Sequence, residues 1–243
     1  MRDRTGADDG MLLLHFRLSP YNEKVRWALD RLRLSHRRES LLPGPHMRRV
    51  RALTGQTATP ILRLDGRWVA GSARILDALG EHARACWLAI DDPDALARTR
   101  AIERRFDEDW VPRVRRAVLD AALADAGYFA RVFAAGRSDT QRFAYRLAVP
   151  LAAPLIRAGN GIRGPASVDD GLTAIGEALD FVARETARTG FLSGEAFGRA
   201  DLCAAASLAP VVNPPDSPMR RPGSPPAKVR DLVARFEDHP GSA

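Results

Sequence analysis

The chain has 243 residues, 45% of them hydrophobic, and a formal net charge of +7. That is enough chain to bury a core without staples, as one large domain or two smaller ones. Its two cysteines, Cys86 and Cys203, give neither a disulfide framework nor a zinc-site spacing, and a reducing, cytoplasmic compartment is expected.

The charge invites a nucleic-acid reading. Of the 37 basic residues, however, all but Lys24 and Lys228 are arginine, spread along the chain among acids, as in residues 98–105. A solvated, ion-paired surface accounts for that pattern, and no zinc-finger or RNP-type motif accompanies it. No nucleic-acid partner and no bound metal are expected. The longest early apolar run, Met11 to Leu14, is too short for a membrane span, so no membrane partner is expected either.

Residues 1–10 are polar and charged and read as a disordered leader. Met11 to Phe16 fits a buried strand. Ser19-Pro20 marks a helix start, with Val25, Leu29 and Leu32 at helical spacing behind it and Trp27 and Ala28 widening that face. A second strand is expected over 38–42 and a short helix from His46 to about Leu53. Ile61 to Leu64, Asp65-Gly66, then Arg67 to Ala70 is a hairpin signal. Ser72 is read as the cap of the helix that follows.

From Asp92-Pro93 onward the patterns are helical. Leu96, Ile102, Phe106, Trp110, Val114 and Val118 share one face of a long helix, and further helices are expected near 138–158, 168–188, 199–210 and 226–236. The glycine-rich stretch 159–166 and the proline-rich stretch 213–226 read as loops. The boundary between the two characters falls near 86–94.

Three short constellations carry chemistry. Ser19 sits at the mouth of a helix directly after a strand, where partial positive charge and free N–H groups favour an anion such as a thiolate. Its hydroxyl is then either a plain helix cap or a donor to a bound thiol. Thr59-Pro60 opens a strand; a cis peptide there would turn the Thr59 backbone outward to pair with an extended ligand. Ser72, after the hairpin, is either a plain cap or part of a carboxylate cradle.

Taken in order, SPYNEKVRWAL, TPILRLDG and GSARIL resemble the N-terminal domain of the glutathione S-transferase family over roughly residues 11–85. Residues 191–202, FLSGEAFGRADL, are similar to a capping segment of that family's helical domain, with Gly198 where a Ser or Thr is usual. Asp201 there reads as a folding residue.

The resemblance implies a thioredoxin-like α/β domain over 11–86 and an all-helical domain over 92–243. It implies that Ser19 activates the thiol of glutathione, used as cosubstrate. Thr59 would pair with the cysteinyl backbone, Pro60 would be the cis-proline, and Ser72 would bind the γ-glutamyl carboxylate. Gly71 replaces an acidic or amide residue that contacts the γ-glutamyl amine, which weakens the expected site. With no cysteine at 19 or 22, a mechanism through a protein thiol is not expected, and Cys86 and Cys203 read as packed residues.

The activity implied is transfer or exchange of glutathione with a small hydrophobic electrophile, in detoxification, by a homodimer. Tyr21, Phe106, Trp110 and Val114 are candidate pocket residues, with ordinary helical core as the other reading. The alternative function is a non-catalytic binding or interaction protein with a degraded glutathione site.

Overall fold

The computed structural model describes residues 10–214 and 224–242. Nearly all of the leader, and most of the proline-rich stretch, lie outside the described residues. The chain divides after Ala89 into two compact units.

The first unit is built on a four-stranded sheet in the order β2-β1-β3-β4. Its strands are β1 (Met11–His15), β2 (His36–Ser40), β3 (Ile61–Leu64) and β4 (Arg67–Ala70). β1 pairs parallel with β2 and antiparallel with β3, and β3 pairs antiparallel with β4. β1 is apolar because it is internal; Leu13 and Leu14 are fully buried, on opposite faces.

β2 begins two residues earlier than the apolar pattern predicts. As an edge strand it is held by its ladder to Met11–His15, with polar side chains outward. Leu41 then drops into the core just after it, donating its N–H to the His15 carbonyl (2.8 Å). Asp65 and Gly66 both take positive φ, 49° and 76°, the turn whose twist suits a two-residue hairpin.

Helices α1 (Pro20–Arg31) and α3 (Ser72–Ala83) pack against each other, and α2 (His46–Thr54) lies against β4. Leu14, Leu41, Val50 and Ile61 form one core cluster, joined by Phe16 and Trp68.

Two sequence expectations change here. Trp27 is 36% exposed and does not extend the core face of α1. Cys86 is exposed, whereas Cys203 is buried as expected.

The second unit is helical among the described residues. α4 (Pro93–Arg104) runs without a break through a π-helical turn, Arg105–Trp110, into α5 (Val111–Leu123). Asp92 caps α4, accepting from the Ala95 N–H at 2.6 Å. α6 (Ala126–Phe133), α7 (Asp139–Gly159), α8 (Pro165–Thr186), α9 (Arg199–Val212) and α10 (Ala227–Ala234) follow. α6 has no counterpart in the sequence reading. It is only eight residues long, and Asp125 caps it by accepting from the Tyr128 N–H.

The aromatic centre of this unit is Phe106, Trp110 and Phe181, with the Trp110 ring 4.8 and 5.2 Å from the other two. Between α5 and α8, a Cβ on Gly171 would lie 2.7 Å from the Arg113 carbonyl, so only glycine fits that approach. A buried ion pair, Arg199–Glu103 (2.9 Å, both side chains at most 3% exposed), ties α9 to α4.

Asp201 accepts from the N–H groups of Leu192, Ser193 and Gly198, which makes it a folding residue of the α9 start. A Cβ on Gly198 would lie 2.5 Å from Ser193 Oγ. The serine hydroxyl therefore occupies space that a capping side chain at 198 would need.

Candidate functional site

The first unit gathers its chemistry where β1 passes into α1. Pro20 fits the first helical turn because its missing N–H would have had no helical partner. The Ser19 carbonyl accepts from the N–H groups of Asn22 (3.1 Å) and Glu23 (2.9 Å). Its hydroxyl, however, makes no capping bond to the helix. The plain-cap reading of Ser19 is therefore wrong: its Oγ is engaged elsewhere.

It is engaged by Asn22, a residue with no solvent exposure. The Phe16 N–H donates to Asn22 Oδ1 at 3.2 Å. A backbone N–H can only donate, so this contact fixes which end of the amide is oxygen. Asn22 Nδ2 then points to Ser19 Oγ (2.6 Å) and to Thr59 Oγ1 (3.3 Å). Because Ser19 Oγ accepts from Asn22, its own proton is left to donate to another group.

One buried amide thus joins the β1–α1 loop to the loop before β3. Sequence reasoning singled out Ser19 and Thr59 but gave Asn22 no role. A polar residue three positions after a helix start reads as a solvated face, and nothing local reveals a partner 37 residues away.

Beneath this bridge is a buried charged group. Glu23 and Arg26 are 2% and 5% exposed and are paired, with Arg26 Nε donating to Glu23 Oε2 at 2.7 Å. Arg26 also donates to the carbonyls of Phe16 (2.9 Å) and Arg17 (3.0 Å), which pins the loop that carries Ser19.

His15 Nδ1 lies 2.9 Å from Arg26 Nη1. The same nitrogen lies 3.1 Å from the Phe16 carbonyl, so His15 sits between a donor and an acceptor. Burial, and next the charge of Arg26, push the His15 pKa down to about 4.

The other constellations join the same network. The Thr59–Pro60 peptide is cis. The Pro60 carbonyl accepts from the Gly71 N–H at 3.1 Å, linking this loop to the start of α3. Gly71, not Ser72, stands at the cap position of α3. Ser72 is the first helical residue and is 6% exposed.

Gly71 takes φ +92°, a conformation that L side chains rarely adopt, and this favours glycine over an acidic residue. A Cβ there would lie 3.8 Å from Arg74 Nε, so a guanidinium stands beside the place where the resemblance implies an acidic or amide residue.

Tyr21 is half-buried in the first turn of α1, with Lys24 Nζ 5.7 Å from its ring centre. Phe106 and Trp110 are 0% and 1% exposed and are sealed in the aromatic core of the second unit, and Val114 is 3% exposed. The core reading holds for these three, which correspondingly offer almost no surface to a ligand in this structure. Among the described residues, no group of three or more His, Cys, Asp or Glu side chains is arranged to hold a metal ion.

Residues 13–86 match the family model described as glutathione S-transferase, N-terminal domain. The first unit is a glutathione S-transferase N-terminal domain. The whole chain has the glutathione S-transferase fold, a thioredoxin-like unit followed by a helical one.

Among solved structures it is similar to a glutathione S-transferase from Rhodospirillum rubrum F11, at 19% identity and TM-score 0.61 over 96% of this chain and 90% of that one. It is similar to FzlA from C. crescentus at 18% and 0.59, over 92% and 99%. A theta class glutathione S-transferase from the citrus canker pathogen Xanthomonas axonopodis pv. citri, with glutathione bound, matches at 16% and 0.59, over 96% and 95%. No curated protein matches the sequence. At these identities the shared property is the fold.

Proposed function

We propose that the N-terminal domain binds glutathione and that Ser19 stabilises its thiolate for transfer to, or exchange with, a small hydrophobic electrophile. The observation that carries this reading is the Asn22 bridge. It takes one lone pair of Ser19 Oγ and leaves the hydroxyl proton to donate to an anion at the positive end of α1.

The remaining residues fit the group. Thr59, beside cis-Pro60, offers its backbone to an extended peptide, and Ser72 with Arg74 offers a hydroxyl and a positive charge to a carboxylate. Tyr21 stands next to Ser19 at the mouth of α1, as a wall of the site. Glutathione supplies the nucleophilic sulfur when bound. The protein's part is to orient that sulfur, keep it deprotonated through Ser19, and hold the peptide against the 59–60 loop. As the family resemblance implies, the protein would work as a homodimer, in a reducing, cytoplasmic compartment.

Gly71 favours a second reading, a binding protein whose glutathione site has decayed, because no side chain at 71 can receive the γ-glutamyl amine.

Calorimetry with glutathione tests the proposal. The expected result is saturable binding by the wild-type chain. Ser19→Ala is expected to keep that binding and to lose about 10²-fold in turnover of a generic electrophile, the order seen when one transition-state donor is removed. No heat of binding at millimolar glutathione would move the assignment to the second reading.

A further inference from the structure

Helix α7 breaks the usual arrangement of a packed helix. Only Val149 of its 21 residues is buried. On the outward side Phe143, Leu147, Leu151 and Leu155 recur every fourth residue and are 61%, 60%, 84% and 77% exposed. They account for most of the large exposed apolar side chains described in the chain. Between Arg146 and Arg157 the helix carries no charge, and alanines, prolines and Val149 fill the positions between the leucines.

The four side chains present on the order of 300–400 Å² of apolar surface, as much as the largest patch of a typical monomer and often functional at that size. The inward side, with Val149 and the half-buried Tyr145 and Ile156, packs on α6.

The chain's positive charge collects around this helix. Residues 126–164 contain six arginines, at 131, 137, 142, 146, 157 and 163, against one acid, Asp139. That is a net +5 of the chain's +7 within 39 residues. The spread of arginines along the sequence is therefore not a spread of net charge. At 100° per residue, Arg146 and Arg157 fall on one border of the apolar stripe, where Arg157 is paired with Asp120 of α5 and Arg146 is the more exposed of the two.

We propose that this face of α7 docks on an anionic lipid surface. An apolar stripe bordered by arginine is the pattern of a helix that lies in the plane of a bilayer. Each basic group near the surface adds attraction to acidic headgroups.

Charge complementarity selects this occupant. A second copy seated on the same face would bring one +5 segment against another. An acidic lipid surface neutralises the rim and covers the stripe together. Pro150 and Pro154 leave the carbonyls of Arg146 and Pro150 without helical N–H partners. Those groups need water, so the helix rests at the headgroup boundary. Among the described residues no helix is long and apolar enough to cross a membrane.

The test is co-sedimentation of the full chain with vesicles of phosphatidylcholine alone and of phosphatidylcholine mixed with phosphatidylglycerol. Binding is expected only with the anionic vesicles and is expected to weaken as salt is raised. The double variant Leu151→Gln, Leu155→Gln changes two outward residues to good helix formers, so its melting temperature should match the wild type. Its partition onto anionic vesicles is expected to fall on the order of tenfold or more.

Absence of binding to anionic vesicles would overturn the proposal. So would equal binding by the double variant. Concentration-dependent self-association abolished by the double variant, with no vesicle binding, would assign the face to a second copy instead.

Discussion

Helices α1 and α7 invert the rule of apolar inside and polar outside, in opposite senses. In α1 the polar residues Asn22, Glu23, Lys24 and Arg26 are buried while Trp27 is exposed. In α7 a row of Leu and Phe is exposed while the helix packs through a thin inner strip. A buried polar group and an exposed apolar patch are the two arrangements that general folding does not explain. In α1 Glu23 and Arg26 pair with each other, and Asn22 and Arg26 hold the loop that carries Ser19. In α7 nothing within the described chain covers the stripe. The first inversion therefore builds a site, and the second presents a surface.

The largest effect is expected at the ion pair. Glu23→Ala leaves Arg26 as a buried, unbalanced charge, and a loss of about 3–5 kcal/mol of stability is expected. Chemical denaturation measures it. A loss below about 1 kcal/mol would mean that the pair is not buried as described.

The next effect comes from pH. The folded His15 pKa of about 4 lies below the ordinary value of 6.5, so between these values the unfolded chain binds more protons than the folded one. Its contribution to stability is complete above about pH 6.5 and is lost as pH falls toward 4, by about 3 kcal/mol in all. In His15→Leu that part of the pH dependence should disappear from the denaturation curves.

A smaller effect is expected at the bridge. Asn22→Ala leaves the Phe16 N–H unpaired and costs about 1–3 kcal/mol. It also frees Ser19 Oγ to rotate, so turnover should fall more than stability explains. A variant with reduced stability and unchanged turnover would remove Asn22 from the site.

These contacts also show how far the sequence could be read. The buried β1, the Asp65-Gly66 hairpin and the Ser19-Pro20 start were legible because each rests on a local rule: an apolar run, turn chemistry or a proline in the first helical turn. The edge strand β2 was misplaced by two residues because its ladder, not its side chains, defines it. Asn22, Glu23 and Arg26 drew no site reading from the sequence, since their partners lie in the β1–α1 loop and near Thr59. Phe106 and Trp110 were candidates for a pocket wall because an aromatic row reads alike in a core and in a cavity; the structure seals them against Phe181. For α7 the periodicity marked a helix but not which of its faces would be covered.

On the proposed function, the Asn22-held Ser19 hydroxyl stabilises a thiolate. An ultraviolet titration of the thiol of glutathione in complex with the protein tests it most directly. With the wild type, the thiol pKa should fall by at least one unit below its value in free glutathione, and Ser19→Ala should return it to that value. An unshifted pKa in the wild-type complex, or an identical shift in Ser19→Ala, would contradict the account.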